Sequence, residues 1–233
     1  MTHSDIYTKF MIEYDKANIT SSYPSLTKYE IATILDKAYL ALIAQKFTGN
    51  NPRRVSFEGD IKAIEDLAPL ITRKDVVGKK DTEIGNQFTF TLPTDLLYYV
   101  QGLLSHEDVE AVDNVTHGRQ YVHLYSHEDA NKFKATPTNL PWIKEPVGYM
   151  WGDNISVLVD PYEDKDESKT LTVRYIKEPT KFTTTVKEDT ANAAFELSDT
   201  MAEELINMAI VMSTETVESS RLQTKTNLRP LES

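Results

Sequence analysis

The chain has 233 residues, enough for one large domain or two small ones, and its 40% hydrophobic and 26% charged residues are ordinary for a folded protein. It contains no cysteine, which excludes disulfides, a thiolate nucleophile and cysteine-ligated zinc. Its formal net charge of −11 repels phosphate backbones, which disfavours tight nucleic-acid binding, while a surface that DNA slides past remains compatible.

The N-terminus has neither the basic start nor the apolar run of a signal peptide. No stretch approaches the ~18–20 apolar residues that span a bilayer. We therefore expect one composite domain with no membrane partner, assembled in the cytosol.

The first part of the chain carries helical periodicity. Apolar residues share one side of a first segment: Ile6, Phe10 and Tyr14. Thr27 and Glu30 form a capping box that begins a second helix, and a third is expected from about Phe57 to Leu67. These patterns predict an N-terminal helical region over residues 1–77.

The spacing of the apolar residues then changes to every second residue, which is the period of a β-strand. Phe88, Phe90 and Leu92 alternate with threonines, which is typical of a half-buried strand. Closely spaced turns favour antiparallel pairing among further strands, expected at 121–125, 148–151, 155–159, 171–177 and 182–186. Residues 78–190 are thus predicted to form an antiparallel β region, with one short helix at 95–104.

A long C-terminal helix is predicted over residues 191–222, packing on the helical region. At about 100° per residue its apolar side chains cover close to half the helical wheel: Met201, Ala202, Leu205, Ile206, Met208, Ala209, Ile210 and Met212. One core contact needs a stripe only about 100° wide, so the surplus predicts a partner. Residues 223–233 are expected to be a tail.

The element order predicts an α+β fold: N-terminal helices, a central antiparallel β meander, and a long C-terminal helix with an extended tail.

Two sequence features invite a metal site. Ser-His-Glu-Asp occurs at 105–108 and 126–129, and carboxylates gather in the loop 160–167. Each tetrad is also a Ser-x-x-Asp capping pattern, and the loop lacks the glycine and glutamate spacing of an EF-hand, so capping and a solvated loop are favoured. No nucleotide-binding or hydrolase motif is present. We predict no catalytic residues, no cofactor and no metal.

Two further features concern contacts. Basic clusters occur at 51–54, 73–74 and 79–80; each is typical of a solvated face, although a basic patch in an acidic protein could dock an acidic neighbour. Trp142 lies beside a proline in an irregular segment, and such a side chain fills a pocket either in its own domain or in a neighbour.

Three stretches together resemble a known class of proteins: Phe90-Thr91-Leu92-Pro93-Thr94-Asp95-Leu96-Leu97-Tyr98; the segment from Ser126 through Asn139-Leu140-Pro141-Trp142-Ile143; and Tyr175-Ile176-Lys177-Glu178-Pro179 followed by Phe195-Glu196-Leu197-Ser198 and the last helix. The chain resembles head-to-tail connector or ring proteins of crAss-like tailed bacteriophages over most of residues 1–230.

The resemblance implies a non-enzymatic virion structural protein of the neck or tail. It implies a homo-oligomeric ring, with twelve copies as the expected number, that contacts the portal and other tail or ring proteins and retains and passes the genome. In the matching segments, six positions are candidates for interface contacts: Leu140, Trp142, Met208, Met212, Glu215 and Arg221.

Two alternatives remain. A minor head or tail-fibre attachment protein would share this composition. A metal-assisted, tail-associated hydrolase would use His106, His127 and the acidic loop, but no water-activating glutamate occurs in a recognised spacing.

Overall fold

The computed structural model describes residues 1–16, 26–48, 57–81, 86–105, 120–135, 141, 145–160, 168–187 and 193–216. The chain divides into two compact units. One comprises Met1–Leu70 with Pro179–Ser233, and the other comprises Ile71–Glu178. The structure contains both helices and a sheet, so the predicted α+β class is confirmed.

The first unit is helical. Its helices are α1 (His3–Lys16), α2 (Lys28–Phe47), α3 (Ile61–Leu67), α5 (Phe182–Lys187) and α6 (Asp199–Thr216), with short 3₁₀ turns at Phe57–Gly59 and Ala68–Leu70. The predicted capping box of α2 is confirmed: the Thr27 hydroxyl accepts from the Glu30 amide, and the Glu30 carboxylate accepts from the Thr27 amide. α6 packs against α2 and α1.

The second unit is built on one sheet. Its elements are β1 (Ile71–Lys80), β2 (Gln87–Thr91), β3 (Leu96–Ser105), β4 (Gln120–Tyr121), β5 (His123–Leu124), α4 (His127–Ala135), β6 (Val147–Trp151), β7 (Asn154–Leu158) and β8 (Ser168–Lys177). The strand order is β4-β3-β8-β1-β2-β7-β6-β5. Among the strands that the structure describes, all pairs are antiparallel except β5 with β6, which is parallel.

Three local expectations are wrong, each because a distant partner decides the conformation. Residues 71–77 are not helical, because β1 pairs along its length with β8, about a hundred residues later. Residues 96–105 form a strand rather than a helix, because β3 pairs with the other side of β8 through two register shifts. Residues 182–187 form α5 rather than a strand, because Asp36 of α2 accepts from the Phe182 and Thr183 amides at 2.6 and 3.2 Å.

The sheet closes on itself through the segment that contains β4 and β5. The Val122 amide donates to the Gly102 carbonyl of β3 at 3.0 Å, and the His123 amide donates to the Pro146 carbonyl beside β6, also at 3.0 Å. Since a single residue separates β4 from β5, this segment bonds to both ends of the strand order. The described sheet therefore has its first and last strands joined within one stretch of chain.

Side chains fill the interior of the closed sheet. Buried residues from five segments form its core: Phe88, Phe90, Leu92, Leu104, Val122, Ile155, Val157, Val159, Leu171, Val173 and Tyr175. Gly78 faces the Phe90 ring, where a Cβ would lie 2.5 Å from the nearest ring carbon. Glycine is required here because the bulky ring occupies the space that any side chain on β1 would need. The interior is thus a packed core, as in other small closed sheets.

The turn between β2 and β3 is tied to the end of β8. The Tyr175 hydroxyl donates to the Asp95 carboxylate at 3.0 Å, and the Glu178 amide donates to the Asp95 carbonyl at 2.7 Å. Burial, then the hydrogen bond to Asp95 and its negative charge, raise the pKa of Tyr175 to about 12. Two of the stretches that carried the family resemblance therefore meet in the structure.

Among the described residues, no helix has the length and apolar character needed to cross a membrane.

Candidate assembly surfaces

The apolar face of α6 is covered by the same chain. Its apolar positions from Met201 to Ile210 are all buried, Met208 being the most exposed of them at 4%. With the buried Ser213 and Thr214, the buried positions span roughly 240° of the wheel at about 100° per residue. The expectation that one chain cannot cover this face is wrong, because α6 packs against two helices, α1 and α2, and not against one.

The buried part of α6 continues past Met212. Ser213 and Thr214 are polar, yet both are buried. Their hydroxyls donate to the carbonyls of Ile210 and Val211, at 2.8 and 2.9 Å, so their polar atoms are satisfied inside the helix. The core of this unit therefore extends at least to Thr214.

The six predicted interface positions lie in different situations. Met208 is buried within the chain and Met212 is half-buried. Glu215 lies in α6, but its side chain falls outside what the structure describes, and Leu140, Trp142 and Arg221 lie outside the described residues altogether. Their roles at an interface stay predictions.

The second Ser-His-Glu-Asp tetrad caps a helix. The Ser126 hydroxyl accepts from the Asp129 amide at 3.2 Å and donates to the Asp129 carboxylate at 2.8 Å. Hydrogen bonds from Lys132 and Ser126 lower the pKa of Asp129. The capping prediction is confirmed here, and His127 becomes the first residue of α4, where its ring contacts the Tyr149 ring.

The other residues of the metal hypothesis, His106 and residues 161–167, lie outside the described residues. Among the described residues, no group of three or more acidic or histidine side chains is placed to hold a metal ion.

Polar anchors fix the helical unit internally. Lys46 of α2 pairs with Asp66 at 3.2 Å and with Glu204 of α6 at 3.0 Å, all three side chains being mostly buried. Burial lowers the pKa of Lys46, but hydrogen bonds to Glu204 and Asp66 outweigh it and leave the pKa raised. The His3 ring stacks on Phe182, and burial lowers the pKa of His3. All of these contacts are made within the helical unit.

The sheet unit exposes apolar side chains that its own core does not use. Trp151 at the β6–β7 turn is 64% exposed, and Tyr121, Leu124 and Tyr125 are exposed along the segment that closes the sheet. Val77 on β1 is 67% exposed. Large apolar side chains at such exposure are candidates for contact with another protein.

Comparison with known proteins gives one family. The model of the family described as phage tail ring protein 3/4 matches residues 1–211, about nine-tenths of the chain. A search of the curated proteins finds no match.

Proposed function

Because the chain belongs to the phage tail ring protein 3/4 family, we propose that it forms a ring of twelve copies in the head-to-tail connector, between the portal and the tail. The family match over residues 1–211 carries this proposal. The protein acts by assembly and not by catalysis: it joins portal to tail, retains packaged DNA and passes it at ejection. It is a virion component that assembles in the cytoplasm of the host bacterium.

The filled interior of the sheet supports a channel between subunits. Eleven buried residues occupy the space inside the closed sheet. A DNA path therefore runs along the axis of a ring, whose wall the subunits form together. The net charge of −11 per copy favours a channel wall that does not attract the phosphate backbone of DNA as it passes.

The exposed side chains of the sheet unit support contacts made by that unit. The apolar face of α6 is covered by its own chain, so it is not available to a neighbouring subunit. The exposed Trp151, Tyr121 and Val77 are available for such contacts. Further contacts are predicted for five positions: Leu140, Trp142, Met212, Glu215 and Arg221.

Mass photometry of the purified chain, alone and with the portal of the same phage, tests the proposal. A ring of twelve gives a particle of about 318 kDa, twelve times the 26.5 kDa of one chain, and negative-stain images show annuli. Rings that form only on the portal also agree. A 26.5 kDa monomer that binds neither portal nor tail contradicts the proposal.

A further inference from the structure

Positive charge is concentrated on two neighbouring strands of an acidic protein. β1 and β8 together contain seven lysines and arginines and a single acidic residue, Asp75. These twenty residues thus carry +6, and with a net charge of −11 for the whole chain, the remaining residues carry −17. The sequence shows the pairs 73–74 and 79–80, but only the pairing of β1 with β8 adds Arg174 to them.

The register places two arginines side by side. Arg73 is directly opposite Arg174, and residues directly opposite in antiparallel strands point to the same face, about 5 Å apart at Cβ. That face is the outer one, because the neighbouring inner positions, Val173 and Tyr175, belong to the core.

The described residues neutralise the positive charges of Arg73 and Arg174 only in part. Arg73 reaches the Asp75 carboxylate at 3.6 Å, but Asp75 also accepts from the Thr172 hydroxyl at 2.6 Å. Arg174 is exposed and has no salt bridge to any described residue. Like charges directly opposite destabilise a sheet, so fold stability does not explain this arrangement.

Apolar side chains flank the arginines on the same face. Across the strands, Asp75 is opposite Thr172, Thr172 is opposite Leu103, and Leu103 is opposite Tyr121. Tyr121 therefore lies on the same outer face, where it is 59% exposed. Val77 lies two residues beyond Asp75 on β1 and is 67% exposed. We call this surface the Arg73–Arg174 face, defined by its exposed residues: Arg73, Asp75, Val77, Lys79, Tyr121 and Arg174.

We infer that the Arg73–Arg174 face docks onto the acidic surface of a second copy of this chain. The inference rests on the proposed ring. In a cyclic ring each contact joins two different patches of the same protein, so a basic face and an acidic remainder on one chain are complementary between neighbours. Arginine with exposed tyrosine is typical of protein interfaces, and an exposed valine offers nothing to a phosphate backbone.

The test reverses the two charges. Arg73→Glu/Arg174→Glu is compared with Lys37→Glu/Lys62→Glu, which makes the same charge change at exposed positions of the helical unit. Arg73→Gln/Arg174→Gln serves as the milder variant. Far-UV circular dichroism and tryptophan fluorescence establish that each variant is folded. Mass photometry then measures assembly at about 0.05 M and about 1 M salt, where exposed charges are weakly and strongly screened.

We expect the glutamate pair to raise the protein concentration needed for half-assembly at least about tenfold, the glutamine pair to raise it less, and the lysine control to leave it near that of the wild type. High salt weakens wild-type rings towards the level of the glutamine pair.

Each contrary outcome has its own meaning. If the glutamate pair assembles as the lysine control does, the inference is overturned while the ring stands. If it assembles normally but loses binding to a labelled DNA duplex, the face contacts DNA and the inference is again wrong. A wild-type chain that forms no ring, alone or on the portal, overturns both the inference and the proposed function.

Discussion

Leu205→Ala tests whether the wide apolar face of α6 is the core of the helical unit. Leu205 is fully buried in the single chain. Its truncation removes buried methyl groups and leaves a cavity, which costs about 2–5 kcal/mol. With a urea dependence of about 2 kcal/mol/M, the unfolding midpoint falls by about 1–2.5 M.

Leu40→Ala on α2 is the matched control, because the substitution and the helical setting are the same and only burial differs. Leu40 is 37% exposed, and its truncation costs about 1 kcal/mol. Unfolding followed by circular dichroism at the helical band reports mainly this unit. Both tryptophans, Trp142 and Trp151, fall in the sheet unit, so their fluorescence follows that unit separately.

The reasoning is refuted if the two variants shift the midpoint equally. It is also refuted if Leu205→Ala leaves the isolated chain as stable as the wild type and impairs only ring assembly, because α6 would then present this face to a neighbouring subunit.

Three further predictions concern the sheet and α5. Gly78→Ala places a Cβ against the Phe90 ring and lowers the urea midpoint, followed by tryptophan fluorescence, by the equivalent of about 1–3 kcal/mol. Adding Phe90→Leu to the same chain restores part of this loss. An unchanged midpoint in Gly78→Ala would show that the ring can move aside. Tyr175 has a folded-state pKa of about 12, above its unfolded value, so its contribution is complete below about pH 10 and is lost as the pH rises to about 12. Tyr175→Phe therefore costs about 1–3 kcal/mol at pH 7 and makes alkaline unfolding less steep in a pH series of urea titrations; equal steepness in both proteins would contradict the raised pKa of Tyr175. Asp36→Ala removes the carboxylate that caps α5 from α2 and costs about 2 kcal/mol in thermal unfolding, whereas a loss no larger than that of an exposed surface substitution would count against the cap.

Local signals in the sequence predicted local structure well. The capping box at Thr27 and Glu30 began α2 where expected, because its hydrogen bonds lie within four residues. The alternation of Phe88 and Phe90 correctly predicted β2, because alternate residues of a strand point to the same face and here that face is buried. The close spacing of the expected strands at 148–151 and 155–159 indicated a tight turn, and Gly152, with a φ of 53°, joins β6 and β7 there.

The failures are those where the partner is distant. Residues 71–77 carry a polar run that is compatible with a helix, and only pairing with β8 makes them a strand. The α6 pattern revealed the width of the buried arc but not what covers it, because periodicity gives the faces of a helix and not the number of its neighbours. The Arg73–Arg174 face could be predicted only in part, because the sequence places Arg73 in a basic cluster but gives Arg174 no adjacent basic residue.

The sequence by itself determined the α+β class, the absence of cysteine chemistry, the acidic balance and the resemblance to phage ring proteins, because these follow from composition and short-range order. Tertiary structure alone decided that the sheet closes around a filled core, that α6 is covered by α1 and α2, and that Arg73 meets Arg174. Those outcomes depend on hydrogen bonds and packing between residues up to about two hundred positions apart, which leave no periodic trace in the chain.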